Sequence, residues 1–241
     1  MIRGEEVGRA MANGGTVHVN GFGISRTVDF VDAGDVVSTM QASVDAVLDA
    51  GGIACLNHPN FRWGFNHEQI ARVTGPLLME VYNGGGLSKN NDGDSNRPSC
   101  EEIWDKVLTA GIQIYGIAAD DAHIYDEFLP ERANPGRGWV YVRASELTEE
   151  SVLDALSTGE FYASTGVTLL ELSTSLDSIS LTIEPIGNQL FTTRFIGKDG
   201  IVLSEGSGLQ ASYTIQGDEG YLRARVLSSS GAKAWIQPLF L

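Results

Sequence analysis

Three of the four histidines in the chain lie at or just beyond the ends of short predicted strands. His18 lies in V-H-V-N at 17–20, His58 in N-H-P-N at 57–60, and His123 follows A-D-D-A at 119–122. Neutral imidazole nitrogens and carboxylate oxygens together are the ligands that suit zinc, manganese or iron. With Glu6 and Asp121, these histidines therefore form a candidate site for divalent transition metals.

Each of these residues also has a simpler, structural interpretation. His58 precedes a proline and could form hydrogen bonds within a turn, and His18, between two valines, could lie in the core or at a sheet edge. Asp121 and His123 could belong to a solvated loop, since several acidic residues follow them. His67, at the start of a predicted helix, is interpreted as a surface residue and left out of the site. Three histidines at three strand ends, in a chain with four, favour the metal site.

Alternating strands and helices lead to these residues. The spacing of apolar residues predicts helices over 38–50, 101–110 and 148–159, and short apolar runs predict strands over 53–56, 77–82, 112–118 and 139–142. This alternation is typical of an α/β fold with a parallel sheet or barrel. The carboxyl ends of the strands of such a barrel converge on one mouth, so histidines that are distant in sequence would meet there.

Beyond about residue 168 the helical periodicity disappears. Six strand-like segments follow between 178 and 240, separated by turns that contain glycine. This pattern predicts a small antiparallel β-sandwich. We therefore predict two domains, a barrel over residues 1–168 and an all-β domain over residues 169–241, which pack directly because no long linker separates them.

The composition excludes several classes of protein. The 241 residues are 42% hydrophobic and 20% charged, as in ordinary globular chains. A net charge of −15 disfavours nucleic acid and anionic membrane surfaces as partners. Two cysteines exclude a disulfide framework. No apolar run approaches the roughly 20 residues of a spanning helix and no signal peptide is evident, so we expect a soluble protein, cytoplasmic rather than exported.

Several segments resemble the PHP (polymerase and histidinol phosphatase) family of metal-dependent hydrolases. They are G-E-E-V at 4–7, G-T-V-H-V-N-G at 15–21, L-N-H-P-N at 56–60, E-V-Y-N-G at 80–84 and A-D-D-A-H at 119–123. Further segments at 138–140, 159–166 and 234–238 are similar to the branch with a C-terminal β domain, which includes metallophosphoesterases and carboxylester hydrolases. The resemblance covers nearly the whole chain.

The resemblance implies a distorted (β/α)7 barrel with up to three metal ions at its mouth. Glu6 would bridge the first and second ions, and His18 and His58 would complete the protein ligands of the second. Asp121 would bind the first ion and His123 the third. Family members begin with H-x-H and T-D-H segments that this sequence lacks. The expectation is therefore a barrel without its first strands in an N-terminally incomplete chain, with exposed sheet edges that favour homo-oligomers.

The activity that the resemblance implies is hydrolysis of phosphate esters by a metal-activated hydroxide. Glu6, His58 and Asp121 are the candidate catalytic residues. Arg62 and Arg137 lie in loops that we expect to face the mouth, where they could bind an anionic small-molecule ester. Placement of either arginine on the solvent-facing surface is the alternative.

Two other functions stay open. The same metal site could hydrolyse carboxylic or carbamate esters, with the hydroxide attacking carbon instead of phosphorus. The chain could also be a non-catalytic binding module, in which the β domain contacts a carbohydrate or protein through Trp235 and Tyr221. Packing of these two aromatic residues in the core is the alternative interpretation.

Overall fold

The computed structural model describes residues 1–11, 15–86 and 89–241. In this part of the chain, strands outnumber helices and form three sheets of five, six and three strands. The fold is therefore mixed α/β but rich in sheet. Among the described residues, no helix is both long and apolar enough to cross a membrane.

A five-stranded sheet carries the residues of the candidate site. Its strands, in spatial order, are β1 (Gly4–Ala10), β2 (Thr16–Phe22), β3 (Ile53–Leu56), β4 (Leu78–Asn83) and β5 (Tyr115–Ala119). The pairs β1–β2 and β2–β3 are antiparallel, whereas β3, β4 and β5 run parallel. The parallel half agrees with the predicted alternation. The antiparallel pairing of β1 with β2 follows from the short connection between them, which is too short for a parallel crossover.

Helix boundaries agree closely with the sequence patterns. The helices are α1 (Val36–Asp49), α2 (His67–Ile70), α3 (Cys100–Thr109) and α4 (Glu149–Thr158). At the start of α3, the Ser99 side chain accepts from the backbone N–H of Glu102, whose carboxylate accepts in return from Ser99, a reciprocal cap. Thr148 caps α4, and Gly159 ends that helix with a φ of 77°. Polar caps and glycines therefore fix the helix ends where the sequence predicts them.

The remaining strands form a β-sandwich. The six-stranded sheet has the order β11 (Val202–Ser207), β10 (Phe191–Ile196), β13 (Tyr221–Ser228), β14 (Lys233–Phe240), β7 (Phe161–Ser164) and β6 (Trp139–Val142). The three-stranded sheet has the order β12 (Gln210–Thr214), β9 (Ser178–Ile183) and β8 (Leu169–Thr174). All their ladders are antiparallel, and one cluster of buried apolar side chains from β9, β10, β13 and β14 fills the space between the sheets.

The predicted (β/α)7 barrel is not confirmed by the described strands. β6, which we predicted as a strand of the barrel, pairs antiparallel with β7, a strand that we did not predict, and β7 pairs with β14 of the sandwich. On β5, the side-chain amide of Gln237 donates to the carbonyl of Gly116 and accepts from its N–H, both at 2.8 Å. A side chain thus occupies the edge where a further strand would pair. The domain boundary at 168/169 stays a prediction, and the six-stranded sheet contains strands from both sides of it.

Aromatic side chains pack between the five-stranded sheet and the six-stranded sheet. Tyr82 at the end of β4 stacks on Trp235 of β14, with ring centroids 6.1 Å apart and an interplanar angle of 29°. Trp235 and Tyr221 are each 1% exposed and belong to the same apolar cluster as Trp104 of α3. Trp235 and Tyr221 therefore pack in the interior, and they are not the surface contacts that the binding-module hypothesis required.

A buried ion-pair network fastens α3 to the sandwich. The guanidinium of Arg223 in β13, 1% exposed, donates to both carboxylate oxygens of Asp105 at 2.7 Å each. The Tyr221 hydroxyl donates to the same carboxylate at 2.7 Å. Glu101, one turn earlier on α3, lies 3.0 Å from Arg223 and 3.0 Å from Arg225. Two carboxylates of one helix face therefore neutralise two arginines of one strand.

The stability of the fold is expected to fall in acid through Glu101. Burial alone would raise the pKa of this carboxyl, but the charges of Arg223 and Arg225 outweigh burial and lower the pKa from 4.5 to about 2. A carboxyl whose folded-state pKa is lowered stabilises the fold above its unfolded pKa, and this stabilisation is lost as the pH falls through the folded pKa. We expect the free energy of unfolding to drop between about pH 4.5 and pH 2 by a few kcal/mol.

Chemical denaturation at a series of pH values checks this expectation. The Glu101→Gln variant should be less stable than the parent chain at pH 7 and should lose less stability between about pH 4.5 and pH 2. The exposed carboxylate of Glu127 offers a matched control, and Glu127→Gln should leave the slope unchanged. Equal slopes for the parent and Glu101→Gln would contradict the expectation.

Candidate metal centre

Glu6, His18 and His58 lie together at one end of the five-stranded sheet. Nδ1 of His18 is 2.7 Å from Oε1 of Glu6, and Nε2 of His58 is 3.5 Å from the same oxygen. The imidazole rings of His18 and His58 meet edge to face with centroids 5.0 Å apart. One ligand atom from each of the three residues lies within 4.8 Å of the others, so the group could hold a metal ion.

The pairing of β1 with β2 places Glu6 beside His18. Gly8 lies opposite His18, and Glu6 lies opposite Asn20, which makes Glu6 and His18 diagonal neighbours on one face. A Cβ atom on Gly8 would lie 2.5 Å from the His18 ring. A glycine at this position therefore leaves the room in which the imidazole lies over the backbone and reaches the carboxylate.

His58 is held just beyond the end of β3. Its backbone has a φ of 27°, a conformation that non-glycine residues rarely adopt. The His58 N–H donates to Oε2 of Glu80 at 2.7 Å, and the side chain of Asn83 donates to the same oxygen at 2.7 Å. A buried carboxyl of β4 thus fixes an unfavourable backbone conformation, which aims the imidazole at Glu6.

The histidines meet because the strands are antiparallel. His18 lies near the start of β2, not at its end as we predicted. The backbone N–H of Asn57, which follows β3, donates to the carbonyl of His18 at 3.1 Å. The start of one antiparallel strand adjoins the end of its neighbour, so the predicted proximity of His18 and His58 is correct although the predicted geometry is not.

The pKa values of the group suit metal binding. The neighbouring imidazoles of His18 and His58 hold the pKa of Glu6 well below its ordinary value. Burial lowers the pKa of His58, and the positive charge of Lys89 lowers it further. Burial also raises the pKa of Glu80 to about 8. At pH 7 the site therefore offers an ionised Glu6 and a neutral His58, while most Glu80 carboxyls keep their proton.

Asp121 and His123 form a second pair next to this group. Nε2 of His123 is 2.9 Å from Oδ1 of Asp121, and the ammonium of Lys89 contacts Oδ2. Burial would raise the pKa of Asp121, but the hydrogen bond and charge of Lys89 outweigh it and lower the pKa. Asp121 and His123 are thus not part of the three-ligand group among the described residues, and His123, with 68% of its side chain exposed, faces solvent.

The ring of Phe61 contacts members of both clusters. It lies in a short turn, Phe61–Trp63, directly after the His58 segment. Its ring meets the His58 ring edge to face at 5.2 Å and lies 6.0 Å from the His18 ring. The ammonium of Lys89 lies 4.3 Å from the centroid of the same ring. The aromatic ring therefore contacts both imidazoles and also stabilises a cation beside Asp121.

The two candidate substrate arginines differ in their surroundings. Arg62 is exposed, and its guanidinium carbon lies 5.3 Å from the Phe61 ring centroid, close to the histidines. Nη2 of Arg137 donates to the carbonyl of Leu129 at 2.6 Å and lies 3.3 Å from the side-chain oxygen of Asn134. The side chain of Arg137 thus stabilises the loop in which it lies, whereas the guanidinium of Arg62 faces solvent.

The three-ligand group fits a divalent ion. Nε2 of His58 is buried and has no hydrogen-bond partner among the described residues, and its nearest carboxylate oxygen is 3.5 Å away. Either tautomer of the ring leaves a buried polar group unsatisfied, which costs free energy unless something binds there. Two imidazole nitrogens and one carboxylate oxygen are a common protein ligand set for zinc, with a fourth position left for water.

Sequence reasoning missed three residues of this region. Lys89 lies in a polar loop, where the sequence gave no sign that its side chain would be 8% exposed. Glu80 lies within an apolar strand, and that placement of an acidic residue was the available signal for a buried carboxyl. Asn57 lies in the L-N-H-P-N segment next to His58, and its side-chain nitrogen is 3.4 Å from Oε1 of Glu6, a contact that the sequence did not predict.

Comparison with known proteins finds a likeness in structure but no match in sequence. The sequence matches no family model, and no curated protein matches it significantly. A two-domain protein of Bacteroides vulgatus ATCC 8482, described as containing a predicted PHP-like metal-dependent phosphoesterase, is similar in structure. The two chains share 15% identity with a TM-score of 0.46, over 98% of this chain and 74% of the other. At this level of similarity, the chemistry of the site has to be judged from its own residues.

Proposed function

We propose that this protein is a metal-dependent hydrolase of phosphate esters, with a divalent ion held by Glu6, His18 and His58. The observation that carries the proposal is the buried Nε2 of His58, which has no hydrogen-bond partner among the described residues and faces the carboxylate that His18 also contacts. Such an atom in a neutral imidazole is suited to a Lewis acid. Glu6, with 38% of its side chain exposed, leaves the group open to substrate.

The residues of the centre have two roles: some bind the ion, and others orient a residue that binds it. A divalent ion in such a site supplies a nucleophilic hydroxide near neutral pH and polarises the phosphoryl oxygens. Glu6 supplies a negative ligand, and His18 and His58 supply uncharged ligands. Glu80 and Asn83, through the hydrogen bonds that hold the segment after β3, fix the direction of the His58 ring.

Asp121 and His123 are proposed to handle the proton of the leaving group. Asp121 is held by Lys89 and lies 2.9 Å from Nε2 of His123, so it can orient the imidazole. The exposed ring of His123 can exchange protons with solvent. Donation of a proton from His123 to the departing oxygen would complete ester cleavage, and Asp121 would act through His123 as a positioning residue.

A phosphate ester is the substrate that the surrounding cations favour. The exposed guanidinium of Arg62 projects beside the Phe61 ring that contacts both histidines, where it can bind phosphoryl oxygens. The charge of Lys89 lies 4.3 Å from the centroid of the same ring, next to Asp121. Arg137 as a further substrate ligand stays a prediction, as do the PHP-type barrel and the identity and number of the metal ions.

An assay with two substrate classes tests the proposal. Chelator-treated protein is supplied with Mn²⁺ or Zn²⁺ and given aryl phosphate monoesters and diesters in one series and aryl carboxylic esters in another. We expect metal-dependent release of the aryl alcohol from the phosphate esters, reduced more than about 100-fold by Glu6→Gln. Turnover of the carboxylic esters alone would indicate the alternative hydrolase. Stoichiometric metal without turnover of either class would contradict hydrolysis.

A further inference from the structure

The ammonium group of Lys89 lies next to the three-ligand group, between Asp121 and the ring of Phe61. With 8% of its side chain exposed, Lys89 contacts Oδ2 of Asp121 and lies over the face of Phe61 at 4.3 Å from the ring centroid. Burying a lysine charge is costly unless a counter-charge and further favourable contacts accompany it. The carboxylate of Asp121 and the aromatic face of Phe61 supply these contacts.

The backbone leaves room for this contact at Gly85. A Cβ atom on Gly85 would lie 2.6 Å from Cε of Lys89 and 2.8 Å from Oδ2 of Asp121. Real Cβ atoms do not approach other atoms so closely, so any side chain at this position would push the lysine from the carboxylate. The loop that follows β4 is therefore shaped to admit the Lys89–Asp121 pair.

The oxygens of Asp121 are both engaged. Oδ2 contacts Lys89, and Oδ1 is 2.9 Å from Nε2 of His123. The Phe61 ring that meets His18 and His58 also lies 4.3 Å from the ammonium of Lys89, so Asp121 is a carboxylate beside the three-ligand group that a second ion could use. A divalent ion there would meet the ammonium of Lys89 in the same place.

We infer that Lys89 takes the place of a second metal cation, so that the centre formed by Glu6, His18 and His58 binds one ion per chain. The inference rests on the proposed metal centre and specifies its nuclearity. Glu6 and Asp121 together carry two negative charges, and Lys89 neutralises one of them. One divalent ion then suffices to balance the remaining carboxylate, whereas a second would meet a fixed positive charge at a distance where repulsion is strong.

Removing the charge of Lys89 is expected to open the second position. We expect the parent chain to bind one equivalent of Mn²⁺ and Lys89→Met to bind two, because methionine keeps an unbranched side chain only one atom shorter, removes the charge and frees Oδ2 of Asp121. Lys89→Arg keeps the positive charge and should bind one equivalent. The double variant Lys89→Met/Asp121→Asn lacks the freed carboxylate and should also bind one.

Calorimetric titration of the chelator-treated protein with Mn²⁺ counts the ions, and electron paramagnetic resonance reports whether they are coupled. Two ions held roughly 3.5–4 Å apart give an exchange-coupled spectrum that a single ion does not. Lys233→Met is the matched control, since Lys233 also lies over an aromatic ring, 5.9 Å from Trp235, but outside the centre. Near-ultraviolet circular dichroism of each variant verifies that it is folded.

The possible outcomes separate the inference from the proposed function. One coupled pair in Lys89→Met, with single ions in the parent, Lys89→Arg and the double variant, supports it. Two ions in the parent chain, or one ion in a folded Lys89→Met, would overturn the role of Lys89 and leave the metal centre standing. A parent chain that binds no Mn²⁺ would contradict the metal centre itself and the inference with it.

Discussion

Replacement of His58 with alanine is expected to abolish stoichiometric binding of Mn²⁺ or Zn²⁺. The imidazole supplies the buried ligand of the group, and its removal leaves one histidine and one carboxylate, which is too few protein ligands to hold zinc tightly. We expect the dissociation constant to rise more than about 100-fold, since loss even of a residue that only supports a ligand commonly costs 10–100-fold. Any metal-dependent hydrolysis should be lost in parallel.

Equilibrium dialysis followed by elemental analysis measures this effect. His67→Ala is the matched control, because His67 lies at the start of α2 with its imidazole outside the three-ligand group. That variant should retain the metal content and affinity of the parent. Equal affinity and stoichiometry in the parent and in a folded His58→Ala would show that the ion, if any, binds elsewhere.

A second large effect is expected from Asp105→Ala, in the network between α3 and β13. The substitution removes the carboxylate to which Nε and Nη2 of Arg223 and the Tyr221 hydroxyl donate, and it leaves a guanidinium that is 1% exposed beside Glu101 alone. Removing one member of a buried ion pair commonly costs about 3–5 kcal/mol, because the remaining charge is buried without full compensation. We expect a loss of that size in the free energy of unfolding.

Urea denaturation at pH 7 measures the loss from the shift in midpoint. The chain offers a contrast in Asp92, whose side chain is 91% exposed and lies 3.7 Å from Lys233. Asp92→Ala should change the free energy of unfolding by less than about 0.5 kcal/mol, since exposed pairs contribute little. A loss below about 1 kcal/mol in Asp105→Ala would mean that solvent reaches Arg223 and replaces the carboxylate.

Local patterns were sufficient to predict most elements of the fold. Thr148 caps α4 where expected, and Gly159 ends that helix, because capping depends on residues that are neighbours in sequence. The strands at 178–183 and 191–196 match their predicted limits, since alternation and turn residues are equally local. Strand order is not local, and the capture of β6 and β7 by the sandwich depends on pairing with β14 near the other end of the chain.

The candidate site was predictable in its residue types more than in its geometry. The sequence indicated Glu6, His18 and His58 through the scarcity of histidine and its position next to strands. It could not indicate Lys89, because the burial of that side chain depends on Asp121 and Phe61 in other loops. Nor could it separate Asp121 from the ligand group, since a carboxylate in a loop after a strand can face a metal ion or an ammonium group equally well.

The amide of Gln237 also determines when the edge of β5 becomes covered during synthesis of the chain. Its two hydrogen bonds to Gly116 join residues that are 121 positions apart. When β5 has left the ribosome and β14 has not, the edge of β5 is uncovered. Because translation proceeds at about 5–20 residues per second, this edge stays uncovered for several seconds. Nascent chains are therefore most open to mispairing with one another late in their synthesis, before the last strand emerges.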